Sequence, residues 1–156
     1  MAILMQTVFS PRYGFDLEKD VINSFKATTP LAYGKIVVPA DTTGILELGN
    51  DYGYFLLEEV TEDGPSLLEH ALGDFQYEKK ATANTAVTVL IPRKGNIVRT
   101  KWVVQGDDGV PIAVGNLLDI VNGVYATNAD NNGTKGLLKA IVTDSLGNIL
   151  YDVEIL

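Results

Sequence analysis

The chain has 156 residues, 46% of them hydrophobic and 21% charged, with a formal net charge of −8, the balance of a globular protein with a buried core. Cysteine is absent, which excludes disulfides, thiolate nucleophiles and thiolate metal sites. The acidic balance argues against a nucleic-acid partner, because affinity for phosphates comes from Lys and Arg. No apolar run is long enough for a membrane helix, and the opening MAILMQTVFSPRYG lacks the basic-then-apolar order of a signal peptide, so a soluble protein with no membrane partner and no secretion address is expected.

Residues 1–26 read as an N-terminal arm. Ile3, Leu4, Val8, Phe9, Tyr13 and Phe15 make an apolar segment too short to fold alone, interrupted by Pro11 and Gly14. It reads either as a strand that residues 1–9 add to a neighbour's sheet edge or as an ordinary first strand. Within the arm, Leu17, Val21 and Phe25 share a helical face, which predicts a short helix over 16–25.

From residue 27 onward β-type signals dominate. Leu67, Leu68, Ala71 and Leu72 at helical spacing before Gly73 predict a second short helix over 65–72. Residues 86–91 are apolar and largely β-branched, 92–96 are turn-prone, and 97–104 alternate, so 86–104 read as a hairpin. Its second strand places Ile97, Arg99 and Lys101 on one face and Val98, Thr100, Trp102 and Val104 on the other. Asn122-Gly123 between 117–121 and 124–127 predicts a hairpin with a type I′ turn, which needs positive φ at both central positions. Residues 136–143, 144–148 and 149–156 give a final strand, turn and strand. The expected fold class is mainly β, built of small barrel or sandwich elements with one or two short helices.

One phrase is written twice. Pro30-Leu-Ala-Tyr-Gly-Lys-Ile-Val-Val38 returns eighty-one residues later as Pro111-Ile-Ala-Val-Gly-Asn-Leu-Leu-Asp119. After each, a strand, a turn, a second strand, a break and a third strand follow, with Leu56 aligned to Leu138, Val60 to Val142 and Gly64 to Gly147. Residues 30–64 and 111–147 read either as two related three-stranded elements around the helix and the basic hairpin, or as two uses of a common way to begin a strand.

Catalytic chemistry is not expected. His70 is the single histidine and has neither a second histidine nor a cysteine to work with. The Asn128–Gly133 stretch imitates the start of a calcium loop, but Lys139 stands where a bidentate carboxylate is needed. The adjacent pairs Glu58-Glu59 and Asp107-Asp108 point to opposite faces of an extended segment, so neither makes an acid–base dyad. No catalytic residue, cofactor or metal ligand is assigned.

Charge is distributed in blocks. Ten acidic residues and no Lys or Arg lie between Asp41 and Glu78, whereas residues 79–101 hold six basic residues and no acidic one. The blocks read either as two solvated faces or as complementary surfaces that steer association. In the second case Arg93 and Lys94 on the turn, with Arg99 and Lys101 beyond it, are the candidate docking residues, together with Ile3, Leu4, Val8 and Phe9 of the arm.

An N-terminal arm, the opening Ala-Thr-Thr-Pro-Leu-Ala-Tyr-Gly-Lys, the block Gly-Tyr-Phe-Leu-Leu-Glu-Glu-Val-Thr-Glu-Asp-Gly, then Val-Thr-Val-Leu-Ile-Pro-Arg-Lys-Gly-Asn-Ile-Val-Arg-Thr and a last β-element around Pro-Ile-Ala-Val-Gly-Asn follow one another. Over residues 27–156 this order resembles the head decoration, or capsid cement, proteins of tailed bacteriophages. The resemblance implies a structural protein of the virion exterior, made in the host cytoplasm, that binds the outer surface of the major capsid protein shell, commonly as a homotrimer, and stabilises it. The chain departs from the simplest lambda-like decoration proteins in its length and in the segment 86–104. Two other readings use the same ingredients: a tail or baseplate accessory component, and a carbohydrate-binding β-domain. The last would present aromatic platforms, whereas Trp102, the single tryptophan, is expected on an apolar strand face.

Overall fold

Alternate residues of a strand face opposite ways, and here that periodicity divides the apolar residues between two cores. The computed structural model describes residues 9–14, 21–40, 45–57, 80–81, 85–143 and 147–156. All regular structure among them is strand: β1 (Phe9–Tyr13), β2 (Val21–Ala27), β3 (Leu31–Ala32), β4 (Ile36–Pro39), β5 (Leu46–Leu48), β6 (Tyr54–Leu57), β7 (Lys80–Ala81), β8 (Thr85–Leu90), β9 (Ile97–Thr100), β10 (Val103–Val104), β11 (Leu117–Val121), β12 (Val124–Thr127), β13 (Gly136–Thr143) and β14 (Ile149–Ile155). The mainly-β expectation holds. The helix expected at 65–72, and Ile3, Leu4 and Val8 of the arm, lie outside the described residues.

Five strands form one sheet in the order β2-β8-β6-β4-β5. Its two edges return to each other at a parallel bridge between Lys26 and Ile45, so the sheet is nearly a barrel. Val37, Leu46, Leu56, Val87 and Val89 fill the interior, with Ile22, Phe25, Leu48 and Tyr54 packed around them. Val37, Leu56 and Val89 are completely buried, each contributing about 1.5–3 kcal/mol relative to exposure. Ile36, Phe55 and Leu90, one residue out of phase, face outward into a second core shared with Val98, Leu118, Tyr125, Leu138 and Val153. Those partners come from a seven-stranded sheet, β1-β9-β14-β13-β11-β12-β10. A two-stranded pairing of β3 with β7 completes the pattern.

The two copies of the repeated phrase adopt one topology. In the first, β4 pairs antiparallel with β5 on one side and with β6 on the other, Ile36 opposite Phe55. In the second, β11 pairs antiparallel with β12 and with β13, Leu117 opposite Leu137. The first copy belongs to the barrel and the second to the seven-stranded sheet, so the two three-stranded elements lie in different layers. The predicted hairpin at Asn122-Gly123 forms as expected, with φ of 47° and 79° at the two central residues.

Three expectations are corrected. The helix over 16–25 is not formed where it is described: residues 21–25 belong to β2. Ile22 pairs with Val89 and Phe25 with Val87, so one extra residue is inserted between them. That bulge puts Ile22 and Phe25, three apart, on the barrel-facing side, out of step with the spacing of four from Leu17 to Val21 to Phe25 on which the helix was expected. Residues 86–104 are not a hairpin, because β8 pairs with β2 and β6 while β9 pairs with β1 and β14. The turn between them carries the chain from one sheet to the other. Finally, the alternation of β9 stops at Lys101, whose carbonyl accepts a hydrogen bond from Val103 N–H at 2.9 Å. This tight turn shifts the phase, so that Val103 is buried and Val104 is 42% exposed.

The expected arm boundary at 26/27 falls within β2, and β1 forms an edge of the seven-stranded sheet, with Phe9 opposite Thr100 of its own chain. Pro11, which has no N–H to donate, sits on that edge strand, the position where proline is tolerated.

Candidate functional site

Three turns of the same construction lead into β4, β9 and β11, and the middle one carries the basic residues singled out from the sequence. In each, the fourth residue's N–H donates to the first residue's carbonyl: Lys35 to Ala32 at 3.4 Å, Asn96 to Arg93 at 3.1 Å and Asn116 to Ala113 at 3.1 Å. The third residue is Gly34, Gly95 or Gly115, with φ of 86°, 90° and 93°, the requirement of a type II turn. Each glycine N–H then donates to a neighbouring strand, Gly34 to Leu56, Gly95 to Ile155 and Gly115 to Leu138. The same three residues donate back to Lys35, Asn96 and Asn116. The motif written twice in recognisable form is therefore built three times, the third instance being Arg93-Lys-Gly-Asn96.

What differs is the side chain at the second turn position. Tyr33 packs against both cores, whereas Lys94 and Val114 are exposed. The turn is a rigid mount, and in the basic block it holds a cation outward.

The four basic candidates do not form one patch. Arg93 and Lys94 are exposed at the turn. Arg99 lies between Ser10 of β1 and Asp152 of β14 and is committed within the chain, its Nε 2.7 Å from Asp152 Oδ1 and a second guanidinium nitrogen 3.1 Å from Oδ2. Lys101 Nζ lies 4.4 Å from the centroid of the Trp102 ring, and Lys35 Nζ lies 4.7 Å from it, within reach of cation–π attraction. Trp102 is half-buried and its indole N–H donates to the Tyr33 carbonyl at 2.8 Å. Of the arm candidates, Phe9 lies beside Thr100, next to Lys101.

Beneath the Lys94 turn, at the seam between barrel and seven-stranded sheet, lies a cleft of about 740 Å³. Its lining includes Val38, Pro39, Tyr52, Tyr54, Pro92 and Ile155. Among the described residues on its lining, Lys94 carries the one charged side chain, and Leu156, the last residue, also lines it. Tyr52 anchors the seam: its one hydroxyl proton is shared between the Thr134 carbonyl at 3.0 Å and the Leu156 oxygen. Lys135 Nζ lies 4.4 Å from the Tyr52 ring centroid and 2.8 Å from Asp51 Oδ1. That Lys135 hydrogen bond, and a second from Tyr52 N–H, hold the Asp51 carboxyl below its ordinary range. The Asp51 carboxylate in turn holds the Lys135 ammonium above its own. Sequence reasoning passed over this cleft, whose Tyr52 precedes β6 and meets Thr134, Lys135 and Leu156, all eighty or more positions away.

Chemically the arrangement is a largely apolar cleft with Lys94 and the terminal residue Leu156 on its lining. Among the described residues no group of three or more His, Asp or Glu is placed to hold a metal ion. No helix among them is long and apolar enough to cross a membrane. Compared with family models, with curated proteins and with solved structures, the chain matches none.

Proposed function

We propose that the protein is a structural component of a virion that docks on the outer surface of a capsid shell and stabilises it, as a head decoration or cement protein does. The observation that carries this reading is the basic turn. Arg93-Lys-Gly-Asn96 is fixed by its own hydrogen bond and by two more to Ile155, so Lys94 is held outward on a mount that does not need to order on binding. Two further observations support it. The order of sequence features resembles that of capsid cement proteins, and two three-stranded elements of the same pairing order, one per sheet, share a core. Such a scaffold bears load without needing chemistry.

In this reading the major capsid protein is the partner and a homotrimer is the working unit. The arm residues proposed for a neighbour's sheet edge narrow to 1–8, since residue 9 already pairs within its own chain. Co-sedimentation of the purified protein with expanded capsid shells, combined with its mass in solution, tests the proposal. A trimer that pellets with shells to saturation is expected; a monomer that stays in the supernatant at every ratio overturns it.

A further inference from the structure

We infer that Asn132 is a site of spontaneous covalent modification, converted in the folded protein to aspartate and isoaspartate, and that the fold spares the chain's other Asn-Gly pair, Asn122-Gly123. The inference is independent of the docking role proposed above.

In an Asn-Gly pair the following backbone nitrogen can attack the side-chain amide, because glycine has no Cβ to obstruct the approach. Hydroxide removes the proton of the Gly133 amide, whose nitrogen then forms a bond to Asn132 Cγ. The bond from Cγ to Nδ2 breaks, and ammonia leaves with a proton taken from water, which regenerates the hydroxide. Water opens the cyclic imide at either carbonyl, giving aspartate or isoaspartate. The net change is water in and ammonia out, with nothing oxidised or reduced.

The two pairs are alike in exposure: both asparagines are exposed and both glycines buried. They differ at the attacking nitrogen. Gly123 N–H donates to the Gly49 carbonyl at 2.7 Å, within a turn whose φ values are 47° and 79°. Attack there requires that bond to break and the hairpin tip to leave the barrel. Among the described residues, neither Gly133 N–H nor the Asn132 side chain has a hydrogen-bond partner. The other amides of the loop are committed. Asn128 Nδ2 donates to Asp119 Oδ2 at 2.8 Å while its Oδ1 accepts from Asn132 N–H at 2.9 Å, and Asn131 Oδ1 accepts from Leu117 N–H at 2.9 Å.

Packing demands the glycine. A Cβ at residue 133 would collide with the backbone of Leu118, so the close approach of two chain segments installs the one residue type that leaves Asn132 open to attack. The chain is tied down directly afterwards, Thr134 N–H donating to Asp119 Oδ1 at 3.2 Å and Lys135 N–H to the Leu118 carbonyl at 2.9 Å. Isoaspartate adds a methylene to the backbone just before these ties, and either product adds a negative charge.

The test is incubation of the full chain at neutral and at mildly alkaline pH, then tryptic digestion and mass spectrometry with electron-transfer fragmentation, which tells aspartate from isoaspartate. No Lys or Arg lies between Lys101 and Lys135, so both pairs fall on one peptide and are compared within it. Conversion at Asn132, faster at the higher pH, is expected, with Asn122 about tenfold slower or more, the factor supplied by one backbone hydrogen bond that must break before attack. In guanidinium chloride the two should react at similar rates, and Asn132→Gln should remove the acidic species from the folded chain. No conversion at Asn132, equal rates in the folded chain, a preference for Asn132 that persists in guanidinium chloride, or an acidic species that survives Asn132→Gln would each overturn the inference.

Discussion

Ile36, which begins β4 in the barrel, donates its N–H to the carbonyl of Gly123, at the tip of the β11–β12 hairpin, at 2.8 Å. Gly123 N–H donates in turn to the Gly49 carbonyl at 2.7 Å, and Asn122 N–H to Asn50 Oδ1 at 2.8 Å. The turn of the second three-stranded element is thus built into the first, and the two sheets are joined by backbone as well as by side-chain packing.

Gly123 therefore carries two requirements. Its φ is 79°, and a Cβ there would lie 2.8 Å from both the Ile36 carbonyl oxygen and a Leu48 methyl. Gly115 has φ of 93° but open space around it. Gly115→Ala should cost roughly 1–2 kcal/mol from the left-handed backbone alone, and Gly123→Ala roughly 2–5 kcal/mol once the collision is added. Urea denaturation of both variants measures the difference; equal losses would mean that the joint does not matter.

The Arg99–Asp152 pair is bidentate and mostly shielded, with side-chain exposures of 23% and 15%. A double-mutant cycle with Arg99→Ala and Asp152→Ala should give a coupling of roughly 1–2 kcal/mol, little reduced by added salt because partly buried pairs are weakly screened. Arg99→Lys keeps the charge but loses the fork, and should recover only part of the coupling.

Tyr125 is buried in the shared core, and desolvation, reinforced by Tyr52, pushes its phenol above the ordinary value of 10.0. The unfolded chain loses this proton first, so the contribution to stability is complete below that value and falls as the pH rises through it. Chemical denaturation at stepped alkaline pH should show stability falling above about pH 10, with less of that fall in Tyr125→Phe. A near-ultraviolet titration in which every tyrosine ionised before unfolding would contradict this.

Trp102 reports on the seam, because its indole N–H holds Tyr33, which touches both cores. Its fluorescence and the far-ultraviolet circular dichroism should change together in denaturant, as a single cooperative transition. Two separated transitions would show that barrel and sheet unfold independently.

Local signals made the Asn122-Gly123 hairpin, the β13–β14 pair and the repeated three-stranded order legible, since turn chemistry and period-two patterning are written in adjacent residues. The β2 strand was hidden because Leu17, Val21 and Phe25, four apart, fit a helical face as well as a strand face, and the bulge between Ile22 and Phe25 leaves no mark in adjacent residues. The pairing of β9 was hidden because a turn says nothing about which strand lies beside the next one. Arg99 looked like a docking residue for the same reason: Asp152 is fifty-three positions away. The third turn escaped notice because Pro92 stands three residues before its glycine, whereas Pro30 and Pro111 stand four before theirs.

The most direct test of the docking role is equilibrium binding of the full chain to expanded capsid shells at low and moderate salt, beside the Lys94→Glu variant. Saturable binding to the outer surface is expected, weakened by salt and about fivefold by the substitution. No binding, or binding indifferent to both salt and Lys94→Glu, would contradict it.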